Sequence, residues 1–224
     1  MWTAGAALLV TALGAAGAPT GKIMTSITPL PDDVRAEMIG VSWHEGCPVA
    51  LDDLRLLTPR FVGFDGKTHT GEIVVHHTAA AAVAEVFEEL FAAGFQIERM
   101  QRIDAYGGDD DKSMAANNTS AFNCRPVAGR NKGFSRHAYG IAIDVNPKTN
   151  PFVRPGKGPN GGDRVDPPGG EAFLDRTQKL PGLIVKGDVA YRAFTKRGFA
   201  WGGNWRTMKD YQHFQRPRPT TPKP

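Results

Sequence analysis

The chain has 224 residues, of which 41% are hydrophobic and 22% are charged, and these ordinary globular values exclude a wholly disordered, collagen-like or coiled-coil chain. The 27 basic and 23 acidic residues leave a net charge of +4, with the two signs interspersed along the chain. This balance argues against a nucleic-acid partner, because nucleic-acid-binding domains carry a basic stripe with interleaved aromatic residues.

The first residues have the composition of an export signal. Residues 2–18 carry no charge, and Ala6–Leu13 has the length of a signal-peptide core, whereas a membrane span needs about 20 apolar residues. Ala16-Gly17-Ala18 then supplies the small residues that a signal peptidase accepts. We therefore predict a signal peptide over residues 1–18, no stable membrane span, and a protein that is secreted or associated with the cell wall. The alternative is a frayed, alanine-rich N-terminal helix.

The cysteines and the C-terminal residues complete the predicted organisation. Cys47 and Cys124 are too few for a disulfide scaffold or a four-cysteine zinc site. In an oxidising compartment they are expected to pair; the alternative is two buried thiols that never meet. Residues 216–224 are rich in proline and lack apolar side chains, which predicts an extended, mobile tail. Residues 19–215 are then left as one domain.

Four elements are predicted in the first half of this domain. Pro31–Met38 begins with proline and two acidic residues, a signal for the start of a helix. Asp65-Gly66 marks a turn before β-branched residues, so Gly63–Val75 is predicted to form a hairpin. Thr78–Ala93 places apolar side chains at helical spacing and is predicted to be an amphipathic helix. Phe95–Met100 is predicted to be a short strand.

The second half contains one informative strand between loops. Residues 109–118 are polar and lack periodicity, which predicts a solvated loop. Gly140–Val145 alternates large and small side chains, which predicts a strand whose small-residue face carries Asp144. Residues 146–170 are rich in proline, glycine and charge and are predicted to form a long loop. A short helix is predicted over residues 188–197.

Two of the six histidines have a carboxylate nearby in the sequence. Asp144 follows His137 by seven residues, and Asp210 precedes His213 by three. Together these residues supply two imidazoles, one carboxylate ligand and one spare carboxylate, the inventory of a catalytic zinc site with a fourth position left for water. A purely structural pairing of histidine and aspartate fits the same residues. Neither spacing puts both side chains on one face of a continuous strand, so the chain must bend after His137 and before His213.

The run S-R-H-A-Y-G-I-A-I-D at Ser135–Asp144 resembles the S-x-H-x-x-G-x-A-x-D signature of the zinc D-alanyl-D-alanine carboxypeptidase and dipeptidase family. That family includes the vancomycin-resistance enzymes and the L-alanyl-D-glutamate endopeptidases. The resemblance extends to Phe122–Pro126 upstream and to Asp210–Phe214 downstream, and so covers roughly the second half of the chain. It implies an α+β fold in which a small antiparallel sheet carries the zinc site and helices pack on one side, as in hedgehog domains. It also implies Zn²⁺ as cofactor and peptidoglycan peptides as substrate.

The resemblance implies a role for each matching residue. The implied zinc ligands are His137, Asp144 and His213. Asp210 matches the residue that acts as base toward the attacking water and then as acid toward the leaving amine. Arg125 matches an arginine that stabilises the oxyanion or holds the substrate carbonyl. Ser135 matches a signature position that binds or orients the substrate.

One position departs from the family pattern. The carboxypeptidases and dipeptidases generally carry glutamate where this chain has Asp210, whereas aspartate there is similar to the L-alanyl-D-glutamate endopeptidases. The resemblance as a whole favours a monomeric D-alanyl-D-alanine carboxypeptidase, with the endopeptidase as the alternative of the same class. An inactive zinc-containing binding module is the alternative of another class, and such a module does not need Asp210.

The remaining histidines favour structural roles. His76-His77 ends a predicted strand, where at most one of the two side chains can face inward. His44 and His69 lie in loop-like surroundings. Trp201 and Trp205 flank two glycines before the last motif, and they are predicted either to line the substrate cleft or to pack in the core.

Overall fold

The computed structural model describes residues 25–127 and 133–218. The predicted signal peptide and residues 219–224 of the predicted tail lie outside these ranges. Arg216, the first residue of that tail, donates its backbone N–H to the Ile141 carbonyl at 2.9 Å. Within the two described ranges, no helix combines the length and the apolar composition that crossing a membrane requires.

The described residues form short sheets and four α-helices. The helices are α1 (Asp32–Met38), α2 (His77–Ala92), α3 (Asp110–Ala115) and α4 (Val189–Thr195). The strands are β1 (Ser26–Pro29), β2 (Leu54–Thr58), β3 (Arg60–Val62), β4 (Thr68–Thr70), β5 (Ile73–His76), β6 (Arg99–Met100), β7 (Asn118–Thr119), β8 (Ala142–Asp144), β9 (Phe152–Arg154), β10 (Arg164–Asp166), β11 (Ala200–Trp201), β12 (Lys209–Asp210) and β13 (His213–Gln215). This mixture confirms the predicted α+β class.

An antiparallel sheet of order β1-β2-β5 separates two apolar clusters. Successive side chains of a strand point to opposite faces. Leu57 and Val75 accordingly belong to the cluster that also contains the buried side chains of α2, whereas Leu56 and Val74 belong to the cluster that contains those of α1. The sheet therefore supports both halves of the core.

Aromatic packing connects α2 and α4 to β13. Phe194 of α4 stacks on Phe214 of β13 with ring centroids 4.0 Å apart, and Phe87 of α2 meets the edge of Phe194 at 6.4 Å. All three side chains are fully buried, and burial of each contributes about 1.5–3 kcal/mol. This packing fixes β13, the strand on which His213 lies. The amphipathic helix predicted over 78–93 is confirmed as α2.

The third sheet, of order β11-β13-β8, is the small antiparallel sheet that the family resemblance implies. Its register places His213 directly opposite Asp144 and Phe214 opposite Ile143. The central position of β13 gives it hydrogen-bonded neighbours on both sides.

Several local predictions need correction. The hairpin predicted over 63–75 is shifted: its turn at Asp65-Gly66 joins β3, which lies before that range, to β4, whereas β5, buried on both faces, pairs with β2. The strand predicted over 95–100 is reduced to β6. The loop predicted over 109–118 contains α3, a helix of six residues that is too short to show periodicity. The long loop predicted over 146–170 contains the hairpin β9–β10, which is extended by β12.

Candidate active site

The residues before β8 turn sharply so that His137 can face the strand that follows it. His137 begins a 3-10 turn over His137–Tyr139, and Gly140 ends the turn with a φ of +63°, a backbone conformation that favours glycine. The Gly140 carbonyl accepts a hydrogen bond from the backbone N–H of His76 at 2.8 Å. The first of the two predicted bends therefore lies at Gly140, where the chain rests against the end of β5.

The second predicted bend lies between two sheets. Asp210 is in β12, which pairs with β9, whereas His213 is in β13, which pairs with β8. The two linking residues are held at the backbone: the Trp201 indole N–H donates to the Tyr211 carbonyl at 2.8 Å, and the Val145 N–H donates to the Gln212 carbonyl at 3.0 Å. The chain therefore bends between Asp210 and His213 as it passes from one sheet to the other.

The side chains of His137, Asp144 and His213 converge in the interior. His137 Nε2 lies 3.1 Å from Asp144 Oδ2, and His213 Nδ1 lies 2.8 Å from Asp144 Oδ1. The two ring nitrogens are 3.3 Å apart. Each of the three side chains is at most 8% exposed. These residues are therefore a closed set of two nitrogen donors and one carboxylate.

The chemistry of this donor set fits zinc. Tetrahedral zinc with bonds of about 2.0–2.1 Å keeps neighbouring ligand atoms about 3.3 Å apart, close to the separations found here. The outer nitrogen of each ring also faces a carbonyl oxygen: His137 Nδ1 lies 2.6 Å from the Ala121 backbone oxygen, and His213 Nε2 lies 3.1 Å from Gln215 Oε1. A proton donated from each outer nitrogen leaves the inner nitrogen free as a ligand. The residues therefore match a zinc ion in spacing, and the two outer oxygens can accept the ring protons of the tautomer that binds metal.

Burial and mutual attraction set the charge state of these groups. Burial alone would raise the pKa of Asp144, but the adjacent His137 and His213 hold that pKa well below its usual range. Burial opposes the charged form of His213, yet the Asp144 carboxylate raises its pKa to about 9. Asp144 is thus an anion, as a metal-ligating carboxylate must be.

Asp210 provides a second carboxylate of different character. Burial is the main reason that its pKa rises to about 6; the charge of His213 opposes the shift, and Asp144 adds to it. Its Oδ1 is buried and has no hydrogen-bond partner within the described ranges. A Cβ on Gly202 would lie 2.5 Å from the Asp210 carbonyl oxygen, so glycine is needed for this approach. A buried oxygen without a partner is rare in a purely structural carboxylate.

Arg125 is held by a residue that sequence reasoning missed. Its Nη2 forms a 2.7 Å ion pair with Asp110 Oδ2, and both side chains are 25% exposed. Burial raises the pKa of Asp110, against the attraction of Arg125 and His137. The solvated-loop prediction is wrong at Asp110, because α3 turns its carboxylate toward Arg125. Nothing in the local sequence pattern distinguishes Asp110 from its acidic neighbours.

Ser135 joins the Arg125 segment to the His137 turn. Its hydroxyl accepts a hydrogen bond from the His137 backbone N–H at 3.3 Å, and its own N–H donates to the Arg125 carbonyl at 3.0 Å. These contacts give Ser135 a role in orienting the chain around the site.

A disulfide lies directly beside this segment. The Sγ atoms of Cys47 and Cys124 are bonded, with the two Cα atoms 6.0 Å apart. His44 Nε2 also lies 3.2 Å from the Cys124 carbonyl oxygen. The loop around residue 47 is thereby tied to the residue that precedes Arg125.

The other sequence candidates lie in varied environments. His76 is buried and His77 exposed, as expected for neighbours at the end of a strand. Trp201 packs in the core, whereas the Trp205 ring lies 5.6 Å from the His213 ring. Only Trp205 of the two tryptophans therefore borders the donor set.

A buried set of two imidazoles and one carboxylate on a small antiparallel sheet is of the type that can hold a catalytic metal ion. Residues 128–216 match the family model described as D-alanyl-D-alanine carboxypeptidase. The match confirms the family resemblance over these residues and supports a peptidase. The matched range contains the three donor residues, Ser135 and Asp210, whereas Arg125 lies before it. No curated protein and no solved structure matches the chain.

Proposed function

We propose that the protein is a zinc-dependent D-alanyl-D-alanine carboxypeptidase that hydrolyses peptide bonds in peptidoglycan stem peptides. The observation that carries this proposal is the convergence of His137, Asp144 and His213 within 3.3 Å of one another, together with the buried Oδ1 of Asp210, whose carboxyl group feels the charges of all three. The family match supports the peptidase class.

His137 Nε2, Asp144 and His213 Nδ1 would hold the zinc ion. A bound zinc ion supplies Lewis-acid polarisation of a peptide carbonyl and activation of a water molecule at neutral pH. The Ala121 carbonyl would orient the His137 ring through Nδ1, and Gln215 would orient the His213 ring through Nε2. These contacts favour the tautomer that binds metal. The low exposure of the three ligands limits competition from bulk water.

Asp210 would move the proton. A base near neutral pH should have a pKa close to the working pH, and burial raises the pKa of Asp210 to about 6. Its partnerless Oδ1 can accept a proton from the attacking water and return it to the leaving amine. Both transfers use the same oxygen, so the carboxylate ends the cycle as it began.

Arg125 would stabilise negative charge on the substrate. Its guanidinium is always charged and presents several N–H donors in a fixed fork. Asp110 occupies Nη2, and Nε is buried without an acceptor in the part of the chain that the structure describes. The ion pair thus orients the guanidinium while leaving donor capacity for a substrate oxygen, where preorganised donors stabilise developing charge.

A second candidate of the same class is an L-alanyl-D-glutamate endopeptidase, which the aspartate at position 210 favours. The two activities leave the same role to the zinc ligands and differ in the bond that is cut. An inactive binding module is disfavoured, because it would have no use for the buried Oδ1 of Asp210, which has no hydrogen-bond partner among the described residues.

The proposed setting is outside the cell. The uncharged residues 2–18 support export by a signal peptide, and the Cys47–Cys124 disulfide is compatible with an oxidising compartment. We infer that the mature protein is a monomer of residues 19–215 followed by the proline-rich tail.

The proposal is tested with a defined pentapeptide stem that ends in D-alanyl-D-alanine. Mass spectrometry should detect free D-alanine with the wild-type chain, none with His137→Ala, and a restored signal when zinc is returned to chelator-treated wild type. His69→Ala, which removes an exposed imidazole, is the matched control and should keep full activity. Cleavage between L-alanine and D-glutamate would replace the first candidate with the second. A chain that binds no zinc and an activity that His137→Ala leaves unchanged would refute both.

A further inference from the structure

A second group of metal-ligating side chains lies outside the proposed active site, at the junction of β5 and α2. Ligand atoms of Asp53, His76 and His77 all lie within 4.8 Å of one another. The strand register explains the grouping: Leu54 pairs with His76, so the residue before Leu54 is brought beside the residue after His76. The pairing of β2 with β5 thus assembles three residues that are separate in sequence.

The two imidazoles are arranged so that each can contribute a ligand. Their ring centroids are 4.4 Å apart, with His76 buried and His77 exposed. His76 Nδ1 caps α2 by accepting a hydrogen bond from the Thr78 backbone N–H at 3.3 Å, and it also lies 2.8 Å from the Thr78 hydroxyl oxygen, so Nε2 is the ring nitrogen that remains for a metal ion.

Nearby charges are compatible with a bound cation. Asp52, the neighbour of Asp53, is already engaged with Arg35 at 2.6 Å, whereas Asp53 faces the histidines. The charge of Arg55 acts on His76, and its guanidinium donates to the backbone carbonyls of Asp52 and Leu54. The positive end of the α2 dipole opposes a cation here, and the Asp53 carboxylate offsets it.

We propose that Asp53, His76 and His77 form a second binding site for a divalent transition-metal ion of the zinc type. Two imidazoles and one carboxylate suit such ions, and the exposed His77 gives the site access to solvent. The backbone N–H of His76 donates to the Gly140 carbonyl, so an ion bound here would stiffen the segment on which the His137 turn rests. The site is separate from the proposed active site and does not depend on it.

The test counts zinc ions. A chelator removes metal from the full chain, which is then dialysed against micromolar zinc. Inductively coupled plasma mass spectrometry measures the bound zinc per chain. Wild type should bind two ions, His77→Ala and Asp53→Asn one each, His213→Ala one, and the double variant His77→Ala/His213→Ala none. Asp52→Asn and His69→Ala are the matched controls and should keep two.

The outcomes separate this inference from the proposed function. Two ions bound to His77→Ala, or one ion bound to wild type and lost in His213→Ala, would overturn the second site and leave the first intact. One ion bound to wild type, kept in His213→Ala and lost in His77→Ala, would support the second site and refute the first. His77 is exposed, so its replacement should not disturb folding; a thermal melt with chelator present checks this.

Discussion

Gly140 is the position at which a small substitution tests the geometry of the site most directly. Its φ of +63° is costly for any residue with a Cβ, by about 1–2 kcal/mol. A Cβ built there would also lie 2.5 Å from the His76 backbone nitrogen and 3.1 Å from the Val75 carbonyl carbon. These contacts are with backbone, which cannot rotate away, and overpacking of this kind costs about 1–3 kcal/mol more. Gly140→Ala should therefore lower the free energy of unfolding by about 2–5 kcal/mol.

Gly66 supplies the matched control. Its φ is +74°, similar to that of Gly140, but a Cβ there would meet no atom within 4 Å. Gly66→Ala should therefore cost only the backbone term of about 1–2 kcal/mol. The difference in the free energy of unfolding between the two variants therefore measures the cost of the close approach of Gly140 to β5.

The measurement is urea denaturation of both variants and wild type with chelator present, so that bound zinc does not add to stability. A parallel zinc titration should show weaker binding for Gly140→Ala, because the His137 turn must shift, and unchanged binding for Gly66→Ala. If Gly140→Ala were no less stable than Gly66→Ala, the argument that this glycine is required by contact with β5 would be refuted.

Three further predictions concern the surroundings of the site. Cys47→Ser should lower the free energy of unfolding by about 4 kcal/mol, because the disulfide closes a loop of 77 residues; equal urea midpoints for oxidised wild type and the variant would contradict this. Asp110→Asn should reduce kcat/KM by about 10–100-fold with zinc content unchanged, since Arg125 loses its orienting partner. Asp111→Asn, at an exposed position, is the control. Equal kinetics for the two variants would show that Asp110 does not orient Arg125. Gln215→Leu should weaken zinc binding by about 10–100-fold in competition with a chelator. Gln178→Leu, at an exposed position, is the control and should leave zinc binding unchanged. Similar zinc affinities for the two variants would show that Gln215 does not orient His213.

The sequence predicted elements well where a periodic pattern was long or a motif was specific. The apolar spacing over 78–93 predicted α2 to within one residue at each end, and the proline and acidic residues predicted the start of α1. The pattern failed at α3 and at β9–β10, since elements of three to six residues contain too few positions to show a period. Gln215 could have been found, because it lies two residues after His213 on the same face of a strand.

The amino-acid sequence by itself indicated the fold class, the resemblance to the peptidase family and the residues of the proposed donor set, because a ten-residue signature and a downstream motif carry them. Only the tertiary structure decided how they meet. The change of sheet between β12 and β13 aligns Asp210 with His213, the approach of Gly140 to β5 positions His137, and α3 turns Asp110 toward Arg125. Asp53 likewise reaches His76 and His77 only through the register of β2 with β5. Such contacts join residues far apart in the sequence, as between His137 and His213, which are 76 positions apart, and they depend on packing that no local pattern contains.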